Sequence, residues 1–409
     1  MNKIIKQTKS YRDRKVVELK SDKKKQIPLS VPNFEGNEKK YVDDAIEKVW
    51  VSTGGAYINQ LEKMMAEFLH VEKAVAVQSG TSAIHLALME CGVKPGDLVI
   101  VPTLTFIAAV NPVRYQFADP IFIDCDDSMC MDPSKLAEFL RKECECLDGV
   151  VIHKHTKKKI KAIVVVHIFG NMADMEEIMQ IAERYQLPVV EDATEALGTK
   201  YTAGKYVGKY AGTIGDFGAF SFNGNKIITT GGGGMVVAKD SAKAEHMRYL
   251  STQAKDDPLF YVHNEVGYNY RMTNVQAAIG VAQMEELSEF IERKNVNYDR
   301  YAVLLSDWKH GALGEFRKGI HSNKWFYSLI LKDDIKKDVE EIIHTLSEKQ
   351  IQTRAIWGLI HEQKPYRECI AYKIERANYY KNHVINIPCS TNLSEEDIEY
   401  VVSIIKEVI

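Results

Sequence analysis

From Asn37 onward the chain alternates short β-branched runs with helical stretches, and this alternation limits the fold more than any other feature. Strand-length runs occur at 74–77, 98–101, 121–123, 163–166 and 188–191, and helical patterns fill 81–91 and 175–185 between several of them. Apolar strands joined by helices build parallel βαβ units, in which the sheet is covered on both faces. After about residue 275 the text turns to long Lys- and Glu-rich helices, then the apolar run WFYSLIL and the helix DVEEIIHTLSEKQ, which predicts a smaller C-terminal α/β domain. The expected organisation is a basic N-terminal arm over 1–26, a large domain over 27–275 and a small domain over 276–409.

In open α/β sheets ligands bind beyond the carboxyl ends of the strands, so the loops after the strands are where chemistry is sought. Three stand out: QSGTSAIH, PTLTFIA and EDATEA. Ser79-Gly80-Thr81-Ser82 follows a strand and opens a helix, where backbone N–H groups and hydroxyls can meet a phosphate, although the same residues are ordinary helix caps. LPVVEDATEA ends a buried strand on Glu191 and Asp192, and a carboxylate there needs a partner or a function. A protonated pyridine nitrogen would suit Asp192, while the plain alternative is a capping carboxylate. In DFGAFSFNGNKIITTGGGGMVV one lysine, Lys226, lies between an aromatic strand and four glycines. A lysine in so apolar a setting is a candidate for a depressed pKa, and only a neutral amine attacks an aldehyde. The order of a phosphate-binding P-loop is absent, since the lysine precedes the glycines.

Several function classes are disfavoured by what the sequence lacks. A formal charge of -3 gives no general attraction to nucleic acid or anionic lipid. The longest apolar stretches, such as AIVVVHIF, fall far short of the roughly 20 residues that cross a bilayer, so no membrane insertion is expected. The N-terminus carries ten Lys or Arg against three acids before Gln26, with no apolar core of a signal peptide, and a cytoplasmic protein with a solvated basic arm is expected. Seven cysteines without a regular framework suit reduced thiols. Cys144-x-Cys146 followed by His153-x-His155 has zinc-binding residue types, but the spacing is too tight, and GVVIHKHTKKKIKAIVV reads as a hairpin with a basic turn. No metal site is expected.

SGTSA, PTLTFIA, EDATEA, SFNGNKIITTGGGGM and GYNYRMTNVQAAIG stand in the order seen in the DegT/DnrJ/EryC1/StrS sugar aminotransferases, and the chain resembles that family from about residue 27 to its end. The motifs look most like the branch that makes 4-amino sugars on nucleotide carriers for legionaminic-type surface glycans. The resemblance implies the fold type I aminotransferase architecture: a large domain with a mostly parallel seven-stranded sheet plus a smaller C-terminal α/β domain. It implies pyridoxal 5'-phosphate as cofactor, cycling through pyridoxamine phosphate, with L-glutamate and a nucleotide keto-sugar as substrates. Lys226 would carry the cofactor as a Schiff base, and Asp192 would pair with the pyridine nitrogen. Gly80, Thr81, Ser82 and Ser221 would cradle the phosphate, and Phe106 would stack on the ring. Asn269, in GYNYR, would reach the phosphate of the partner subunit, making a homodimer with shared sites. Arg271, two residues on, is a candidate for the sugar diphosphate.

Glu195 and Asn223 stand where many members carry Gln or His and His, and both are expected at the cofactor. Gly233 stands where many members carry Glu, and it is expected to leave room beside the sugar. A related dehydratase branch carries His in place of the lysine, so Lys226 counts against it. The same motifs would also suit a 3-keto-sugar or cyclitol aminotransferase, or a non-catalytic cofactor-binding regulator.

Overall fold

The computed structural model describes residues 26–409, so the basic arm, Gln26 apart, lies outside the described residues. The alternating segments form one eight-stranded sheet: β1 Ala74–Val77, β2 Leu98–Pro102, β3 Asp119–Ile123, β4 Ile160–Val166, β5 Val189–Asp192, β6 Phe217–Ser221, β7 Gly234–Ala238 and β8 Ile370–Tyr372. Their order is β1-β7-β6-β5-β4-β2-β3-β8. The run from β6 to β8 is parallel, and β7 alone runs against its neighbours β1 and β6. Successive residues of β4 enter different cores, Ile163 and Val165 on one face and Ala162 and Val164 on the other. That is the period-two alternation of a strand covered on both sides, and it explains why these strands read as unbroken apolar runs.

The family expectation of seven strands is met by β1–β7, and the eighth comes from beyond residue 275. Ile370, Ala371 and Tyr372 pair in parallel with Ile121, Phe122 and Ile123 at the edge of the sheet. The C-terminal part has its own four-stranded antiparallel sheet, in the order Gly311–Leu313, Tyr327–Leu331, Val384–Ile387, Arg354–Ala355. Helix Asn274–Leu304 links the two parts and starts on a capping box between Thr273 and Gln276. The expected hairpin with its basic turn is present as an antiparallel bridge between Ile152 and Lys159, the His153 N–H donating to the Lys158 carbonyl at 3.0 Å, and a second hairpin precedes it. Cys144–Leu147 pairs with Val150–His153, and the tight turn is Asp148-Gly149, both at positive φ, as two-residue hairpin loops require.

Because β7 is antiparallel to both β1 and β6, the carboxyl ends of β1, β2, β5 and β6 lie at one edge of the sheet. The glycine run that precedes β7 reaches the same edge. The four loops that carry the sequence motifs therefore converge.

Candidate active site

A cavity of about 280 Å³ opens at that edge. Ser79, Gly80 and Thr81 after β1, Phe106 after β2, Asp192 and Glu195 after β5, and Ser221, Asn223 and Lys226 after β6 line it. The helix Gly80–Glu90 points its N-terminus at the cavity. Ser79 caps it, its Oγ accepting the Ser82 N–H at 3.1 Å, while the Ser82 hydroxyl lies 2.9 Å from Ser79 Oγ. Ser82 is buried and is not among the lining residues, so it braces the cradle from behind. Gly80 is required by close approach: a Cβ there would lie 2.8 Å from Thr194 Cγ2 and 3.0 Å from Ser221 Cβ.

Two neighbouring acids at the end of β5 have different fates. Glu191 is fully buried and accepts N–H groups from Gly212, Ile214 and Gly215 at 2.9, 2.6 and 2.6 Å. His167 Nε2 lies 2.8 Å from its Oε2, and since His167 Nδ1 accepts the Ala173 N–H, the Nε2 proton points to Glu191. Glu191 is a structural latch. Asp192 lines the cavity and accepts the Thr194 N–H at 3.0 Å. Burial pushes its carboxyl above the usual range, against the Thr194 hydrogen bonds and the charge of Lys226. A cation placed on Asp192 from the cavity would restore the ionised form.

Lys226 Nζ stands 3.7 Å from Glu195 Oε1 and 4.1 Å from the centre of the Trp325 ring. Glu195 is buried, its other oxygen accepts the Phe169 N–H at 2.7 Å, and burial pushes its carboxyl up to about 7 against the opposing charge of Lys226. Asn223 accepts the Lys226 N–H through its carbonyl oxygen at 3.0 Å, which fixes the lysine backbone. Phe106 exposes half its surface, a ring face available for stacking.

Three lining residues, Trp325, Phe326 and Trp357, come from the C-terminal part and belong to none of the sequence motifs. Trp325 Nε1 donates to the Asn225 carbonyl at 2.7 Å, its ring stacks on Phe326 at 3.9 Å, and Trp357 lies 6.1 Å from Phe106. The run WFYSLIL carries the only sequence signal, and it reads as a strand.

Arg271 needs correction. Its side chain is 7% exposed, it pairs with Glu62 and also donates to the Ala76 carbonyl, and it does not line the cavity. Its backbone bridges Val77, so the guanidinium is a strut between β1 and the helix Ala56–Leu69. Asn269 is exposed, accepts from Gln253 Nε2 at 3.0 Å and does not line its own subunit's cavity. Gly233 also has a different role from the one expected. It sits at φ 147, and a Cβ would lie 2.3 Å from Thr230 Oγ1, so the backbone itself demands glycine. At Gly232 a Cβ would meet only Gln276 Nε2 at 3.7 Å, so the open space lies there.

Residues 32–406 match the DegT/DnrJ/EryC1/StrS aminotransferase family. The chain belongs to that family. It is 37% identical over 391 residues to the GDP-perosamine synthase of Escherichia coli O157:H7, covering 94% of this chain and 98% of that one. It is 36% identical over 388 residues to the putative pyridoxal phosphate-dependent aminotransferase EpsN of Bacillus subtilis (strain 168), covering 93% and 95%. The aminotransferase TlmJ from Streptoalloteichus hindustanus superposes with a TM-score of 0.83 at 25% identity, over 94% of this chain and 98% of its own. The protein is thus a sugar aminotransferase that uses pyridoxal phosphate. The cavity suits that cofactor: a capped helix N-terminus for a phosphate, a free aromatic face for a ring, a buried carboxylate short of a cation, and one lysine within it.

Proposed function

We propose that this enzyme moves an amino group from L-glutamate to C4 of a UDP- or GDP-linked, N-acetylated 4-keto-6-deoxy sugar, in the assembly of bacterial surface amino sugars. The observation that carries this reading is the meeting of Lys226, Asp192 and the Ser79-capped helix start in one cavity. Pyridoxal phosphate, when bound, supplies an aldehyde for covalent attachment and a ring that takes up the electron pair of a broken C–H bond. Lys226 would offer the amine for attachment and, when free, would be the base that moves the proton. Asp192 would keep the ring nitrogen protonated, Phe106 would offer its ring face, and the N–H groups at Gly80 and Thr81, with Ser221, would hold the phosphate.

The likeness to GDP-perosamine synthase supports a nucleotide-linked sugar and favours GDP as the carrier. Clefts for whole small molecules run from about 300 Å³ upward. A cavity of about 280 Å³ therefore suits the cofactor and leaves the nucleotide-sugar at its mouth. Among the described residues lining the cavity, Lys226 is the one cation, so charges that meet a sugar diphosphate must come from outside it. This supports a homodimer in which the exposed Asn269 loop completes the partner's site. The free cysteines are in keeping with a cytoplasmic protein.

An assay with glutamate and a panel of nucleotide keto-sugars tests the specificity, and the 4-keto substrates should be aminated. Strong preference for a 3-keto-sugar or a free inosose would overturn it and leave the aminotransferase standing. Paired UDP- and GDP-sugars, with and without the N-acetyl group, settle the carrier and the substituent.

A further inference from the structure

A second carboxylate, Glu195, stands beside the lysine in the cavity wall. We propose that Glu195 is the proton partner of Lys226, exchanging one proton with its amine so that the lysine returns to the neutral form between half-reactions. The proposal rests on the reading of Lys226 as the cofactor-bearing lysine.

The geometry is fixed on every side of Glu195 except the one that faces Lys226. Its carbonyl oxygen accepts Asn323 Nδ2 at 3.0 Å, and its Oε2 accepts the Phe169 N–H at 2.7 Å. Phe169 supplies that N–H from a left-handed conformation, φ 56 and ψ 17, which residues other than glycine seldom adopt. Its ring is held against Phe326 at 5.9 Å and Trp357 at 4.9 Å. Oε1 remains, 3.7 Å from Lys226 Nζ. The Trp325 ring centre lies 4.1 Å from the same nitrogen, and a movement of about 1 Å toward the carboxylate makes a hydrogen bond.

The charged groups facing Glu195 are Lys226, from the loop after β6, and Asp192, from the end of β5; the C-terminal part brings the uncharged Asn323 amide and the rings of Trp325, Phe326 and Trp357. With the carboxyl pushed up to about 7, Glu195 can take up or release a proton near neutral pH. The step conserves all atoms: an ammonium and a carboxylate become an amine and a carboxylic acid. A purely structural Glu195 would need only an acceptor for the Phe169 N–H, which a glutamine provides equally well.

Glu195→Gln therefore separates the two roles. Loaded with pyridoxal phosphate, the variant should keep its visible absorbance, while the pH midpoint of that absorbance falls by about one unit or more, because a negative neighbour of the protonated nitrogen is gone. The single-turnover rate with glutamate should drop about ten-fold or more. An unchanged midpoint and rate with the absorbance intact would overturn the proposal. Infrared difference spectra of the native protein between about pH 5 and 9 give an independent measurement should the variant not fold. One buried carboxyl should lose its proton near pH 7, and Lys226→Ala should move that event upward; absence of such a carboxyl overturns the proposal. Borohydride trapping with peptide mapping separately locates the cofactor-bearing lysine. A label away from Lys226 would overturn the underlying assignment instead.

Discussion

Replacing Arg271 with Met distinguishes the strut seen in the structure from the substrate ligand its sequence neighbourhood suggests. The side chains of Arg271 and Glu62 are 7% and 6% exposed, and Arg271 also donates to the Ala76 carbonyl at 3.2 Å. Removing one member of a buried pair costs about 3–5 kcal/mol, because the other charge is left without compensation. Here Glu62 would keep the Ala76 N–H at 2.7 Å and Arg248 Nη2 at 3.2 Å. Arg248 is one-third exposed and tethers the orphaned carboxylate only in part, so a loss of about 3 kcal/mol is expected. Urea unfolding of the cofactor-free protein at one fixed protein concentration measures it, as a lower midpoint with an unchanged slope. Adding Glu62→Gln to the variant should recover part of the loss, since the stranded charge is then gone. An unchanged midpoint together with a KM for nucleotide sugar raised about ten-fold would refute the strut and restore the ligand.

Lys226→Ala should abolish covalent cofactor attachment and turnover; a borohydride-reducible lysine adduct persisting in that variant would contradict the assignment. Asp192→Asn should fold but lose about a hundred-fold or more in kcat, because a neutral amide cannot hold a pyridinium charge, and near-normal rates would remove Asp192 from the mechanism. Mixing inactive Lys226→Ala and Asn269→Ala subunits should restore some activity, since one site of each heterodimer is then intact; verified heterodimers without activity would exclude a shared site. The Glu195 carboxyl is raised from 4.5 to about 7, so the unfolded chain releases that proton first and stability from this group is lost as pH rises between the two values. The amount is about 3 kcal/mol, so Glu195→Gln should gain on the native protein across that window in urea midpoints taken at several pH values. A difference that does not vary with pH would rule this out.

How much of this could be read from the chain depends on the distance over which each role is decided. The capped helix start at the cavity was legible because a cap, a glycine and a helix start lie within four residues of a strand end, and the place of Lys226 because its glycine-rich setting is local. Trp325 and Trp357 were not, since only the docking of the C-terminal part turns them into the cavity. The strand expected to begin at 325 begins at Tyr327, and the Trp325 N–H goes to Asn323 Oδ1 at 3.0 Å rather than to a neighbouring strand. Strand β8 escaped because three residues at a sheet edge carry no period of their own. Arg271 misled because its partner, Glu62, lies on a helix that nothing in GYNYR announces.

The pair Glu191 and Asp192 shows the limit most clearly. Sequence presents two equal carboxylates at a strand end, but successive side chains of a strand leave on opposite faces. One faces the loop around Gly212–Gly215, where three N–H groups and the His167 Nε2 proton satisfy it without any cation. The other faces the cavity with the Thr194 N–H against it and burial opposing its charge. The single-residue register of β5, rather than the identity of the side chain, therefore decides which acid is left wanting a cation and so which one can hold a protonated ring nitrogen.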